Sequence, residues 1–238
     1  MTTHHPLRRD PPVPLPALRR RVLVAGLVLL VLGVLVTALV AVAGSRSAVQ
    51  RVDDGWYRLM VGHRWAPVVT LSKVLSAMFA ATIDWLLRAA ITVVIALRRH
   101  WLALAAWVTT VLLSELMIGP IKAVVDRPRP PDPLIATSAA SYPSGHAIAS
   151  AVTAIGLVVA VTSGRRRLRW MIAAVGLAAL VALSRTYLSA HWLSDVLGGS
   201  LLGAGLALAV PEAFEVIRDR RPPRGGAGDP NGGPERGR

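Results

Sequence analysis

The chain has 238 residues, of which 53% are hydrophobic, and its mean hydropathy is +0.52. This is too apolar for an ordinary soluble domain. The net charge of +14 suggests nucleic-acid binding, but the basic residues are spread through short polar segments, without a basic helix face or interleaved aromatic residues. The composition therefore predicts a membrane protein with no nucleic-acid partner. Because the sequence has no cysteine, disulfides, thiol catalysis and iron–sulfur ligation are excluded.

The N-terminal region is a polar tail followed by an apolar run. Residues 1–21 contain five prolines and end in three arginines, which predicts a disordered, basic, cytoplasmic tail. Residues 22–44 carry no charge and would form a helix about 34 Å long, enough to cross a hydrocarbon core of about 30 Å. Residues 41–43 resemble a signal-peptide cleavage site, but the apolar run exceeds the usual length of about 7–15 residues, so we predict a retained span.

The next region combines an interfacial segment with a second span. Residues 45–66 mix charged and aromatic side chains, as is typical of a membrane interface. Residues 68–81 have a helical pattern and are either interfacial or part of the second span, which we place at 82–97. Within that span, Asp84 and Arg88 lie four residues apart on one helical face and are predicted to pair.

The second half of the chain contains four more apolar segments. We predict the third to sixth spans at residues 101–121, 144–163, 168–187 and 192–210. The proline-rich residues 126–143 form an exposed loop, and Ser144 is predicted to cap the fourth span. The fold class is therefore all-α: a polytopic membrane protein with six transmembrane helices in a bundle. This domain covers residues 22–216, and residues 217–238 form a disordered basic tail.

Six spans place both termini on the same side of the membrane. Basic clusters occur in both tails and in the loops after the second and fourth spans. Because such clusters favour the cytoplasmic side, we predict cytoplasmic termini in a multi-pass protein of the cell (plasma) membrane. The segment 122–143 and the turn 188–191 then lie at the extracytoplasmic face.

Three polar strings stand beside apolar segments. They are residues 122–130 (KAVVDRPRP), 143–146 (PSGH) and 184–195 (SRTYLSAHWLSD). Antiparallel spans with short turns would bring them to one membrane surface, where they supply three fixed positive charges: Lys122, Arg129 and Arg185. Cations at a membrane boundary are costly unless an anion binds among them. Arginine and lysine both suit a phosphate.

The same strings supply groups that can act on a phosphate. Ser144 and Gly145 begin a predicted helix, where free backbone N–H groups and the dipole favour an anion, and Gly145 lets the anion approach the backbone. His191 and Asp195 are four residues apart, one turn on the same helical face. Asp195 can therefore orient the imidazole and leave its second nitrogen free to attack phosphorus. His146 would be the general acid for the leaving group.

Several residues also have a purely structural interpretation. An isolated arginine at the end of a span, such as Arg185, is usually an interfacial anchor. Residues 127–130 could be loop alone. Glu115 is interpreted as a structural partner of Arg88 rather than as a catalytic group.

A metal site is a further alternative. His146, His191 and Asp195 would make a set of two histidines and one carboxylate. Three nearby cations would repel a divalent ion, so we predict that the site uses neither a metal nor another cofactor.

The three strings resemble the signature of the type-2 phosphatidic acid phosphatase family. That signature reads K-x6-R-P, P-S-G-H and S-R-x5-H-x3-D, and the chain matches every specified position. The resemblance implies that His191 is a nucleophile that forms a phosphohistidine, that Asp195 orients it, and that His146 protonates the leaving group. It also implies that the phosphate is held, without metal, by Lys122, Arg129, Ser144, Gly145 and Arg185. The vanadium-dependent haloperoxidases, which are soluble, share this site.

The sequence therefore predicts an integral-membrane phosphatase that hydrolyses a lipid phosphate or diphosphate. Candidate substrates are undecaprenyl diphosphate, phosphatidic acid and phosphatidylglycerophosphate. Two alternatives are a lipid phosphotransferase, in which an alcohol resolves the phosphohistidine, and a non-catalytic binding or transport protein. Asp84, Arg88 and Glu115 favour transport, since ionisable groups within spans often line a pathway. An oriented nucleophile with a paired acid favours catalysis. The apolar spans are too generic to specify the lipid or an oligomeric state.

Overall fold

The computed structural model describes residues 15–42, 47–137, 140–162 and 164–220. Within these ranges the chain forms eight helices and no strand, which confirms the all-α class. The helices are α1 (Leu15–Val42), α2 (Ala48–Gly62), α3 (Ala66–Met78), α4 (Ala81–Leu97), α5 (Trp101–Val125), α6 (Gly145–Val161), α7 (Gly164–Tyr187) and α8 (Leu193–Asp219). The outer parts of the two predicted tails, residues 1–14 and 221–238, lie outside the described residues.

Helices α1 and α8 extend into the regions predicted as tails. α1 begins at Leu15, two turns before the predicted start of the first span, and α8 continues to Asp219. The two ends meet, because Nη1 of Arg19 lies 2.9 Å from Oε2 of Glu215 and 2.9 Å from Oδ2 of Asp219. Residues 15–21 and 217–219 are therefore helical.

Helices long and apolar enough to span a membrane confirm the polytopic architecture. Four qualify individually, namely α1, α5, α7 and α8, and α3 with α4 would form a fifth span that is bent by 51° at its break. The broken pair agrees with one of the two alternatives given for residues 68–81, that they are part of the second span. Helix α6 is apolar but has only 17 residues. The count of six spans therefore stays a prediction.

The predicted interfacial segment contains the amphipathic helix α2. Ser47 caps this helix by accepting a hydrogen bond from the backbone N–H of Gln50 at 3.1 Å. Its outward side exposes apolar residues such as Val52, whereas Asp53 is buried with 2% exposure. A buried carboxylate needs a partner, and that partner is found in the site described below.

Helix α6 occupies the centre of the bundle. On one side Ile148 and Val152 pack against Ile91 of α4 and Trp107 of α5. On the other side α6 packs against α7 and α8. Glycines allow α8 to approach α6 closely, since a Cβ at Gly203 would lie 2.7 Å from the carbonyl oxygen of Ile148. This close packing holds the N-terminal ends of α6 and α8 side by side.

A buried ion cluster ties α4 to α5 and α6. Arg88 is 1% exposed, and its Nε lies 2.7 Å from Oδ2 of Asp84. Its Nη1 lies 2.6 Å from Oε1 of Glu115, and its Nε donates to Thr153 at 3.1 Å. Both predicted pairings of Arg88 are thereby confirmed. The cluster links three helices.

Candidate active site

The three polar strings meet at one end of the bundle. Lys122 lies in the last turn of α5, Ser144 caps α6, Arg185 lies in the last turn of α7, and His191 precedes α8. The contacts described below link Lys122, Arg129, His191, Asp195 and Ser144, and a second set of contacts links His146 to Arg185. Gly145 lies between Ser144 and His146 at the start of α6. The expected convergence of the three strings is therefore present in the fold.

His191 and Asp195 are paired, but not as one turn of a helix. Helix α8 begins at Leu193, so His191 lies in the preceding turn. Asp195 reaches back to the helix start and accepts a hydrogen bond from the backbone N–H of Trp192 at 2.9 Å. This capping geometry brings Oδ2 of Asp195 to 3.5 Å from Nδ1 of His191. The prediction that both residues share a helical face was wrong. The two side chains are adjacent, but this contact is longer than a hydrogen bond, and Nδ1 has no hydrogen-bond partner among the described residues.

The carboxylate of Asp195 is fully buried and has further partners. Its Oδ2 accepts a hydrogen bond from the hydroxyl of Ser141, and its Oδ1 accepts one from Nη1 of Arg127 at 2.8 Å. Sequence analysis had treated Arg127 as loop and had not considered Ser141. These contacts fix the carboxylate beside His191.

Arg129 lies on the opposite side of the imidazole, and Lys122 is linked to Arg129 through a shared acceptor. Nη1 of Arg129 lies 3.2 Å from Nε2 of His191 and donates to the carbonyl oxygen of Ala190 at 2.7 Å. The carbonyl oxygen of Ala140 accepts from Nζ of Lys122 at 2.6 Å and from Nη2 of Arg129 at 3.4 Å. Two cations thus converge on one neutral acceptor next to the histidine.

Burial sets the protonation state of His191. The side chain is 4% exposed, and burial lowers its pKa from 6.5 to about 4, although the neighbouring Asp195 opposes the shift. Arg129 and Arg185 lower the pKa further. The imidazole is therefore neutral at pH 7, with a nitrogen available as an acceptor or nucleophile.

His146 and Arg185 are linked through a residue that sequence analysis missed. Nε2 of His146 lies 3.1 Å from the carbonyl oxygen of Ser76 on α3, and the hydroxyl of Ser76 accepts a hydrogen bond from Nη1 of Arg185. Nε of Arg185 is buried and has no hydrogen-bond partner among the described residues. The interfacial-anchor interpretation of Arg185 was therefore wrong, because its side chain is 5% exposed inside the bundle.

Ser144 and Gly145 form the start of α6. The hydroxyl of Ser144 accepts a hydrogen bond from the backbone N–H of Ala147 at 3.4 Å, which confirms the predicted cap. The backbone N–H of Ser144 donates to the carbonyl oxygen of Asp195 at 3.2 Å and so joins α6 to α8. A Cβ at Gly145 would meet nothing within 4 Å. The helix start therefore faces open space, which is what an approaching anion requires.

A second group of residues behind Asp195 also escaped sequence analysis. Nη2 of Arg127 donates to Oδ2 of Asp53 at 2.7 Å and to Oε1 of Gln50 at 2.7 Å. Asp53 in turn accepts from the backbone N–H of Ser194 at 2.9 Å. The only available sequence signal was a pair of aspartates, Asp53 and Asp54, among the arginines of the interfacial segment.

The arrangement does not resemble a metal site. Within the described part of the chain, no group of three His, Asp or Glu residues is placed to hold a metal ion. His146 faces the carbonyl oxygen of Ser76, and His191 lies between Asp195 and Arg129. The geometry suits an anion that is bound by cations and backbone N–H groups.

The fold and the site together define a polytopic membrane protein with a cluster of cations and histidines at one end of the bundle. Residues 102–218 match the sequence model of the PAP2 superfamily. This region of the chain, which contains the three strings, belongs to the superfamily of the type-2 phosphatidic acid phosphatases, as the strings predicted.

One relative and two solved structures extend this comparison. Over 131 residues the chain is 36% identical to phosphatidylglycerophosphatase B of Bacillus subtilis (strain 168), a match that covers 51% of this chain and 62% of that protein, less than two thirds of its length. A crystal structure of a transmembrane PAP2-type phosphatidylglycerolphosphate phosphatase from Bacillus subtilis aligns with a TM-score of 0.68 at 25% identity, covering 83% of this chain and 99% of that one. Aquifex aeolicus LpxE has the same fold, with a TM-score of 0.53 at 18% identity over 65% of this chain and 91% of its own.

Proposed function

We propose that the protein is an integral-membrane phosphatase that hydrolyses a lipid phosphate or diphosphate through a phosphohistidine. The observation that carries the proposal is the placement of His191 between Asp195 at Nδ1 and Arg129 at Nε2. The match to the PAP2 superfamily and the similarity to phosphatidylglycerophosphate phosphatase of Bacillus subtilis, in sequence and in structure, support it.

In the first step, Nε2 of His191 attacks phosphorus and the bond to the leaving oxygen breaks. The proton on Nδ1 stays in contact with Asp195, which offsets the positive charge that develops on the imidazole. His146 donates a proton to the leaving alcohol or phosphate. In the second step, His146 removes a proton from water, the water oxygen attacks phosphorus, and the P–N bond breaks to release phosphate and neutral His191.

The cations stabilise the charge on the transferred group. Lys122 and Arg129 would exchange the neutral carbonyl oxygen of Ala140 for phosphate oxygens, which form stronger, charge-assisted hydrogen bonds. Arg185 would use its Nε. The backbone N–H of Gly145 would receive the remaining oxygen, next to Ser144, whose own N–H donates to Asp195. No metal is needed for this chemistry, because fixed cations surround the phosphoryl group.

We propose phosphatidylglycerophosphate as the first substrate to test, because the Bacillus subtilis relative is named for that activity. Phosphatidic acid and undecaprenyl diphosphate are the other candidates. The protein would act in the cell membrane, with cytoplasmic termini and the site at the extracytoplasmic face. The basic clusters of the sequence support this orientation.

Phosphate release by the purified protein in detergent, with a chelator present, tests the proposal. We expect turnover of at least one of the three lipids, and a matched reaction with an alcohol acceptor separates hydrolysis from phosphotransfer. Binding of lipid phosphate without any turnover would instead favour the binding or transport alternative. Rapid quenching of a reaction with radiolabelled lipid should leave an acid-labile, base-stable adduct that is missing in His191→Ala.

A further inference from the structure

We infer that Arg127 is a positioning residue for this reaction: held by Asp53 of helix α2, it fixes the carboxylate of Asp195 against His191. The inference rests on the phosphatase function proposed above. Neither Arg127 nor Asp53 occupies a specified position of the three signature strings. Their role follows from the contacts of the site.

The guanidinium of Arg127 is fully engaged with protein acceptors at both terminal nitrogens. Nη1 donates to Asp195 at 2.8 Å and to the hydroxyl of Ser194 at 2.6 Å. Nη2 donates to Asp53 and Gln50, each at 2.7 Å. A rigid fork of this kind sets angles as well as distances. Arg127 is therefore suited to hold Asp195 and poorly suited to bind phosphate.

The two oxygens of Asp195 have different partners. Oδ1 contacts Arg127, whereas Oδ2 faces His191 and accepts from Ser141 and from the backbone N–H of Trp192. The terminal torsion of an aspartate is broad, so hydrogen bonds must fix its rotation. Without Arg127, Oδ1 loses its charged donor. Only the hydrogen bonds of Oδ2 then hold the carboxylate, so its orientation against the imidazole is less well fixed.

Asp53 holds the other side of this bridge. Its Oδ2 accepts from Arg127 and from the hydroxyl of Ser194 at 2.6 Å, and its Oδ1 accepts from the backbone N–H of Ser194 at 2.9 Å. Asp53 thus anchors Arg127 and the first turn of α8 together. One guanidinium between two carboxylates leaves a net negative charge, which keeps Asp195 able to stabilise an imidazolium.

Steady-state kinetics of Arg127→Ala and Arg127→Lys test this role, with Arg58→Ala as the control. Arg58 is exposed on α2, so its substitution removes one positive charge from the same helix as Asp53. We expect Arg127→Ala to lower kcat on the order of 100-fold with little change in KM, because the substitution displaces the carboxylate of Asp195 from His191 and leaves the phosphate-binding residues in place. Arg127→Lys should recover part of the rate, since an ammonium can contact one carboxylate but not both.

The tautomer of His191 gives a readout that does not depend on turnover. In the ligand-free protein, ring-nitrogen chemical shifts should show the proton on Nδ1, facing Asp195. Arg127→Ala should produce a mixture of both tautomers, and the signal can be assigned from its loss in His191→Gln. Should Arg127→Ala not yield folded protein, Asp53→Asn weakens the same bridge while keeping the shape of the side chain, and a shift towards mixed tautomers is again expected.

Three results would overturn the inference. The first is a kcat for Arg127→Ala equal to that of Arg58→Ala, and the second is an unchanged tautomer of His191 in Arg127→Ala and Asp53→Asn. The third is a rise in KM of Arg127→Ala without a fall in kcat, which would make Arg127 a substrate-binding residue. If the unsubstituted protein hydrolyses no lipid phosphate, the proposed function fails. The tautomer measurement still decides whether Arg127 positions Asp195.

Discussion

The Nε2 atom of His191 lies 3.2 Å from Nη1 of Arg129, so a guanidinium faces the ring nitrogen opposite Asp195. Arginine stays protonated and can only donate. A neutral imidazole therefore turns the lone pair of Nε2 towards Arg129 when Asp195 holds the ring proton on Nδ1. The same nitrogen is the one that the proposed reaction uses as nucleophile.

We predict that His191 titrates near pH 4, because burial lowers its pKa to about that value. Since the unfolded chain binds a proton at about 6.5, this residue contributes stability above pH 6.5 that is lost as the pH falls towards 4. Histidine NMR in detergent measures the titration directly. Asp195→Asn should lower the pKa of His191 further, because Asp195 raises it. A midpoint near 6.5 would contradict the buried, neutral imidazole.

The two histidines should respond differently to substitution. His191→Ala should abolish turnover, because no other group would accept the phosphoryl group. His146→Ala should spare a substrate with a good leaving group, such as an aryl phosphate, more than a lipid phosphate with a poor one, because a good leaving group needs little protonation. Comparing kcat/KM for the two substrates checks this. Equal losses on both would remove His146 from the role of general acid.

Loss of a cation from the site should weaken substrate binding and lower the rate of turnover. Lys122→Ala and Arg185→Ala each remove a positive charge next to the proposed phosphate, so we expect KM to rise and kcat to fall. Lys73→Ala is the control, because Lys73 is exposed on α3 and its substitution removes one positive charge outside the site. Kinetic constants in Lys122→Ala that match those of Lys73→Ala would exclude Lys122 from the pocket.

The close approach of α6 and α8 should not tolerate an added methyl group. In Gly203→Ala the new Cβ would lie 2.7 Å from the carbonyl oxygen of Ile148, so the helices must separate at a cost of about 1–3 kcal/mol. Gly176→Ala on α7 is the control, because its Cβ would meet nothing within 4 Å and alanine favours a helix by about 0.5–1 kcal/mol. Thermal unfolding in detergent compares the two. Equal Tm values would contradict the packing seen here.

The buried ion cluster should contribute to stability and not to turnover. Arg88→Ala leaves Asp84 buried without its cation and should cost about 3–5 kcal/mol. Arg58→Ala, at an exposed position, should cost far less. The unfolding transition in detergent measures both. A variant of Arg88 with normal stability but impaired lipid movement across vesicles would support the pathway interpretation instead.

The sequence predicted the helical class, the positions of most helices and all eight proposed site residues that the fold brings together. These features are encoded locally, by apolar runs long enough to cross a bilayer and by strings of fixed spacing. The pairing of Arg88 with Asp84 was also predictable, because residues four apart on a helix are neighbours.

Long-range packing decided the remainder of the site. The sequence spacing does not relate Arg127 to its partners, because Asp53 lies 74 residues before it and Asp195 lies 68 residues after it. They meet because a buried carboxylate must find a cation and because α2 folds back onto the start of α8. The contact between Ser76 and Arg185 arises in the same way, from α3 packing against α7. A sequence read alone specifies which groups can do chemistry, whereas only the tertiary structure specifies which buried partners hold them in place.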